Sequence, residues 1–185
     1  MEQIKILCYA LTTFFGIENG RIVAEKTEIV IHPEQQQIEI NQEGIFTIIQ
    51  SESDSILALE QWEKMYHWTE NDTKFVKELD NLPVKNFTIT AVKTDFRPHL
   101  TFSYTNKEDL RVFGIWYQED KDQFSINHIP QQNIKTKNGK LEGNYWFFDG
   151  KKSFSFTVEP FLQMPESYKK IKYPITELLT GRKKE

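Results

Sequence analysis

Apolar and polar residues alternate along most of this chain, and the alternation is interrupted by two stretches of helical period. Ile38 and Ile40 fall between Gln37, Glu39 and Asn41, the two-residue period of a strand with one wet face. The same pattern predicts a strand over residues 28–31, joined to 37–41 by the polar turn 32–36. A turn at Gln42-Glu43-Gly44 then leads into an apolar strand over 45–49. Further on, Phe87, Ile89 and Ala91 share one strand face, and Leu100, Phe102 and Tyr104 share another. Residues 110–117 are apolar on both faces, through Val112 and Trp116 on one side and Phe113 and Ile115 on the other, and read as a covered strand. A charged loop at 118–123 precedes a strand over 124–129. Asn138-Gly139 and Asp149-Gly150 are hairpin signals, since both pairs favour the positive φ angles of tight two-residue turns. The second is flanked by Tyr145-Trp146-Phe147-Phe148 and by strict alternation from Ser153 to Val158, which predicts a hairpin across it.

The first interruption begins at Ser51–Asp54, which supplies helix-capping side chains. Ile56, Leu59, Trp62 and Tyr66 follow at spacings of three and four, an apolar stripe beside Glu60, Glu63 and Lys64. A shorter helix over 72–79 is predicted from Phe75, Val76 and Leu79, stopped by Pro83. The helical insert thus covers residues 54–80. The second interruption is C-terminal: Pro160, Pro165 and Pro174 end the strands, and short helices are expected over 165–171 and 175–179. The connections are too short for parallel crossovers. The fold class that follows is α+β, mainly β: a curved antiparallel meander sheet, with closure into a full or half-open barrel left open.

The amino terminus has its own pattern. Lys5 precedes an apolar run from Ile6 to Ile17, and the chain turns polar at Glu18-Asn19-Gly20-Arg21. One basic residue and an apolar stretch of this length resemble a secretory signal peptide. Residues 1–17 are therefore expected to be a signal peptide and 18–185 a single β-rich domain, periplasmic or secreted. Against this stand Glu2, which offsets Lys5, and the lack of an A-x-A cleavage site. The alternative is a buried core element of a cytoplasmic protein. The run is shorter than the roughly 20 residues a membrane-spanning helix needs, so no transmembrane span is expected.

Composition narrows the chemistry. A net charge of −4 gives no electrostatic reason to expect nucleic acid, and the basic residues from Lys169 to Lys184 read as a solvated helix face or tail. Cys8 is the only cysteine, so no intramolecular disulfide forms and no zinc site of cysteine type. The histidines His32, His67, His99 and His128 show no metal-ligand spacing. His32 and His99 adjoin prolines and read as surface residues, His67 lies near a helix end, and His128 shares a strand face with Phe124 and Ile126. No G-x-S-x-G, P-loop or dinucleotide fingerprint occurs, and Ser153 and Ser155 alternate with phenylalanines as ordinary solvent-face residues. No cofactor is implied. Glu119-Asp120-Lys121-Asp122 lacks the glycine and distal glutamate of a calcium loop.

Fourteen Phe, seven Tyr and four Trp leave a choice between an aromatic core and an aromatic contact surface. With a leader and no catalytic signature, the leading expectation is an exported, non-enzymatic protein of a bacterial envelope that binds another protein or envelope component. Trp116, Trp146 and His128 are its candidate binding residues. Gly114-Ile115-Trp116 is similar to the G-x-W element that lipocalins carry on their first strand, though here it lies mid-chain. That likeness implies a second expectation, a carrier whose barrel holds an apolar ligand among Phe102, Tyr104, Trp116, Phe154 and Phe156. The third is a hydrolase using acidic residues.

Overall fold

The computed structural model describes residues 6–182. In chain order the regular elements are β1 (Val23–His32), β2 (Gln37–Ile48), α1 (Glu52–Tyr66), β3 (Lys85–Val92), β4 (Asp95–Ser103), β5 (Ile115–Gln118), β6 (Gln123–Asn127), β7 (Lys140–Glu142), β8 (Tyr145–Asp149), β9 (Phe154–Val158), α2 (Glu166–Lys169), β10 (Lys172–Pro174) and α3 (Ile175–Arg182). The fold class is the predicted one, α+β dominated by antiparallel strands with a helical insert and a helical tail. The strands form two sheets among the described residues, without closure into a barrel. The first runs β3-β4-β2-β1-β9, with β10 added beside β2; the second runs β5-β6-β8-β7.

Burial explains the first sheet. Phe156, Ile29, Ile40, Leu100 and Phe87 stand side by side across five strands, and Phe154, Ile31, Ile38 and Phe102 form the next row. All of these side chains are buried. Each contributes about 1.5–3 kcal/mol of transfer free energy on leaving water, so any one-residue slip in register would turn a whole row outward. In the second sheet Ile115 and Ile126 make one inner row, and Tyr117, Phe124 and Phe148 the next. The sheets meet where Phe148 stacks on Phe154 at 4.2 Å and Phe124 approaches the same ring at 5.4 Å.

That stacking corrects the predicted hairpin. β8 pairs with β6 and β7, whereas β9 pairs with β1. Asp149-Gly150 is therefore an arch that carries the chain from one sheet to the other. Strict alternation on both sides of a turn suits two inner faces as well as two paired strands, and the pattern alone does not separate them. The real hairpin turn of this region is Gly143-Asn144, with Gly143 at φ 60°, between β7 and β8. Asn138 and Gly139 instead donate their backbone N–H groups to Thr136 Oγ1.

Lys107 ties the arch down. Its Nζ donates to Gly150 O at 2.9 Å and to Asp122 Oδ1 at 3.1 Å, and Tyr117 Oη donates to the same carboxylate oxygen at 2.8 Å. The Tyr117 and Lys107 hydrogen bonds hold the Asp122 carboxyl below its usual range. A carboxylate depressed in the folded state adds stability that is present above its unfolded pKa, about 3.9, and is lost as pH falls through the folded value. Asp122→Asn is thus expected to be less stable than the native chain in urea at pH 7. The two curves should converge once the pH drops below the folded pKa of Asp122; a gap that persists there would remove the carboxylate as its cause.

Other boundaries differ from the sequence pattern for local reasons. β2 runs straight through Gln42-Glu43-Gly44, because β1 pairs with it on both sides of that triplet. Residues Lys107–Phe113 form a 3-10 helix rather than the first half of a strand. Asn106 and Asp109 build a capping box, Gly114 stops the helix at φ 75°, and Leu110 and Phe113 bury at a spacing of three. In place of a helix over 72–79 only Lys77–Leu79 is helical, and Phe75 stacks on Phe15 at 5.1 Å. In α1 the buried set is Ala58, Leu59, Gln61, Trp62 and Met65, so the inward face is rotated from the predicted stripe and Ile56 and Tyr66 are exposed.

Of the apolar amino-terminal run, Ile6, Ala10, Leu11, Thr12, Phe14 and Phe15 are buried, while Leu7 is exposed. Leu11–Phe15 form a 3-10 turn closed by Gly16 at φ 60°. Ala24 N donates to Tyr9 O and Leu11 N to Ile22 O, so the segment runs beside the start of β1. Leu11 and Phe14 are 0% exposed. Phe14 stacks on Phe102 at 6.1 Å, and Phe15 meets Phe87 at 5.1 Å. Lys5, the charge of the expected leader, falls outside the described residues, as do Lys183 and Lys184 of the basic tail.

Candidate functional site on the outer face of the second sheet

Strand alternation gives the second sheet an outer face, opposite the core. Three rows of side chains cross it. Gln118, Gln123 and Asp149 form one, Trp116, Ser125, Phe147 and Lys140 the next, and Asn127, Tyr145 and Glu142 the third. The middle row is aromatic on either side of a serine. Trp116 is 36% exposed and Tyr145 47%, while Ser125 is only 4% exposed although it points away from the core. Its larger neighbours on the flanking strands, Trp116 and Phe147, shelter it. Tyr145 and Phe147 approach at 6.2 Å, and the Arg111 guanidinium lies 5.8 Å from the Trp116 ring centre. A shallow open groove borders Phe147, lined also by Gln123, Asn138, Lys140, Glu142 and Asp149.

The electrostatics of this groove are balanced. Lys140 pairs with Glu142 at 2.6 Å, Lys152 with Asp149 at 3.8 Å and Lys151 with Asp122 at 3.6 Å. The Lys140 hydrogen bond holds the Glu142 carboxyl low, and the backbone N–H of Lys151 does the same for Asp149. With Asp122 also held low, these three carboxylates are ionised at neutral pH. Glycoside hydrolysis needs one carboxyl raised to act as general acid, the opposite condition.

The structure separates the three predicted binding residues. Trp116 stands on the outer face. Trp146 shares the inner side with Ile115 and Ile126. There its Nε1 donates to His128 Nδ1 at 3.3 Å, and the rings meet edge to face at 6.1 Å. Accepting that bond assigns the proton of a neutral His128 to Nε2. Trp146 and His128 are thus one hydrogen-bonded pair, and Trp116 lies across the sheet from it. Phe147 and Tyr145 were missed as surface candidates, because the predicted hairpin left no way to see which face of β8 is covered. The signal was present: Trp116, Phe147 and Tyr145 fall on one face as soon as β5, β6 and β8 are paired.

The ring of residues expected to surround a ligand does not do so. Phe102, Tyr104, Phe154 and Phe156 are packed core side chains, and Trp116 lies beyond the sheet. Burial pushes the Tyr104 phenol up to about 12. A half-open pocket of about 150 Å³ lies between the sheets, lined by Cys8, Tyr9, Ile29, Ile126, Phe156 and Val158 among others. Burial pushes the Cys8 thiol there up to about 12, which leaves it a poor nucleophile.

On the first sheet Glu39 is bracketed by two histidines. His32 Nε2 lies 3.4 Å from one carboxylate oxygen and His99 Nε2 lies 3.5 Å from the other, while His32 Nδ1 and Ser153 Oγ are 3.0 Å apart. His32 and His99 stand on strands either side of Glu39 and are displaced in opposite directions along it. They converge on no common point, and among the described residues no group of three or more His, Cys, Asp or Glu is arranged to hold a metal ion. No helix among those residues is long and apolar enough to cross a membrane. Neither a family model, a curated protein nor a solved structure matches the chain.

Proposed function

We propose that this protein is a non-enzymatic binding protein whose contact surface is the outer face of the second sheet. The observation that carries this reading is the row Trp116–Ser125–Phe147, aromatic side chains flanking a small residue on the face turned away from the core, with Trp116 36% and neighbouring Tyr145 47% exposed. Large aromatic side chains supply much contact area for little lost rotamer freedom, and they dominate the energetics of recognition surfaces. The ionised, paired carboxylates beside them support holding a ligand over cleaving it.

The reading takes residues 6–17 as part of the working molecule, since Leu11, Phe14 and Phe15 complete the core that positions both sheets. It therefore does not rest on export. The test is affinity capture from an extract of the native host. Immobilised native protein is expected to retain a stoichiometric component that Trp116→Ser/Tyr145→Ser loses and that Glu39→Gln, altered on the other sheet, keeps. Equal retention by all three, or no retained component, would overturn the assignment of this face.

A further inference from the structure

We infer that the outer aromatic face binds an uncharged glycan chain, an inference that rests on the binding function proposed above. Size is the first argument. Strands roughly 4.8 Å apart place Trp116 and Phe147, two strands removed, roughly 10 Å from each other. The three rows then span a strip on the order of 14 Å by 14 Å, small beside the ~800 Å² of accessible surface that each partner buries in a specific protein interface. A narrow, extended ligand is matched to a strip of this size.

Chemistry is the second. Aromatic faces are electron-rich and ring edges electron-poor, so the faces attract weakly positive C–H groups. A pyranose presents such groups on one side and hydroxyls around its rim. The face supplies both complements: rings at Trp116, Phe147 and Tyr145, and the amides of Gln118, Gln123 and Asn127 in the adjoining rows. Ser125 keeps the floor between the rings low. Two stacking points roughly 10 Å apart match alternate sugars of an extended β-linked chain, with the sugar between them lying over Ser125.

Charge is the third. The groove lining is neutral in sum: Lys121, Lys140 and Lys151 stand with Asp122, Glu142 and Asp149, Lys140 paired to Glu142 and Lys151 to Asp122. A phosphate or sulfate would meet as many carboxylates as lysines there. A neutral polyhydroxyl chain is indifferent to that balance.

The experiment titrates the full chain with cellohexaose, N-acetylchitohexaose and maltohexaose, read by calorimetry and by tryptophan fluorescence. Trp116 is the most exposed reporter, since Trp62 is buried, Trp68 packs against the core and Trp146 is bonded to His128. Saturable binding of at least one β-linked hexamer is expected, weakened about tenfold or more by Phe147→Ser and by Tyr145→Ser. Tyr145 is nearly half exposed, so its variant keeps the test valid if Phe147→Ser unfolds. Absence of saturable binding at millimolar sugar, or unchanged affinity in a folded Tyr145→Ser, would overturn the inference. If the hexamers fail while the captured component still depends on Trp116 and Tyr145, the glycan inference falls and the binding face stands. If capture fails as well, both fall.

Discussion

A chain that begins at Glu18 is expected not to fold, and Phe14→Ala alone is expected to cost about 3–5 kcal/mol. Phe14 is fully buried and touches two further rings, Phe102 at 6.1 Å and Phe113 at 6.4 Å. Phe102 belongs to the inner row of the first sheet, and Phe113 closes the 3-10 helix that leads into the second. Removing the phenyl group therefore opens a cavity where three separate segments meet and none can collapse into it. For a chain of this length each kcal/mol moves Tm by about 2–4 °C, so a fall of roughly 6–20 °C is expected. Thermal unfolding followed by circular dichroism measures it. Deleting residues 1–17 also strips Leu11 and Phe15 and leaves the backbone of Ile22 and Ala24 without their partners. Cooperative unfolding of the 18–185 chain at the temperature of the intact protein would sink the proposal that this segment belongs to the working molecule.

Gly150→Ala is the second large effect. A Cβ built at this position lands inside contact distance of Asp122 Oδ1 and Asp122 O, and 2.6 Å from the Asp122 carbonyl carbon. Backbone cannot retreat there, because Gly150 N donates to Asp122 O at 2.8 Å and Gly150 O accepts from Lys107. Overpacking at so closed a site costs about 1–3 kcal/mol or more, and the Lys107 hydrogen bonds share in the loss. Urea titration is expected to show a lower midpoint with the slope unchanged. Gly181→Ala is the control: nothing lies within 4 Å of its built Cβ, so its midpoint should not fall. A Gly150→Ala midpoint equal to that of the native chain would mean the arch is looser than its contacts imply.

Sequence periodicity recovered the longer strands and the main helix, because burial of one face writes a period of two or of 3.6 into the chain, but the three-residue strands β7 and β10 are too short to show one. It failed wherever one local pattern serves two tertiary partners. Phe148 and Phe154 alternate as hairpin residues would, yet they face each other across two sheets. Leu110 and Phe113 look like part of a two-sided strand, and only the capping box at Asn106 and Asp109 turns them into one helical face. The amino-terminal run shows the same ambiguity, since an apolar stretch of a dozen residues suits a leader and a core segment equally. Of the candidate site, Trp116 was readable as a large aromatic on a strand. Its companions Phe147 and Tyr145 needed the β5-β6-β8 pairing, which links residues up to about thirty positions apart and leaves no local trace.

The crossing from β8 to β9 also bears on synthesis. Everything from Ile115 to Asp149 is inserted between two strands of the first sheet, and β9 then returns to pair with β1, whose partner residues lie more than 120 positions earlier. While the ribosome is still making the middle of the protein, Thr27 to Ile31 carry an unpaired strand edge, and such edges invite pairing with other chains. Until β9 emerges, that edge of β1 stays open to other chains.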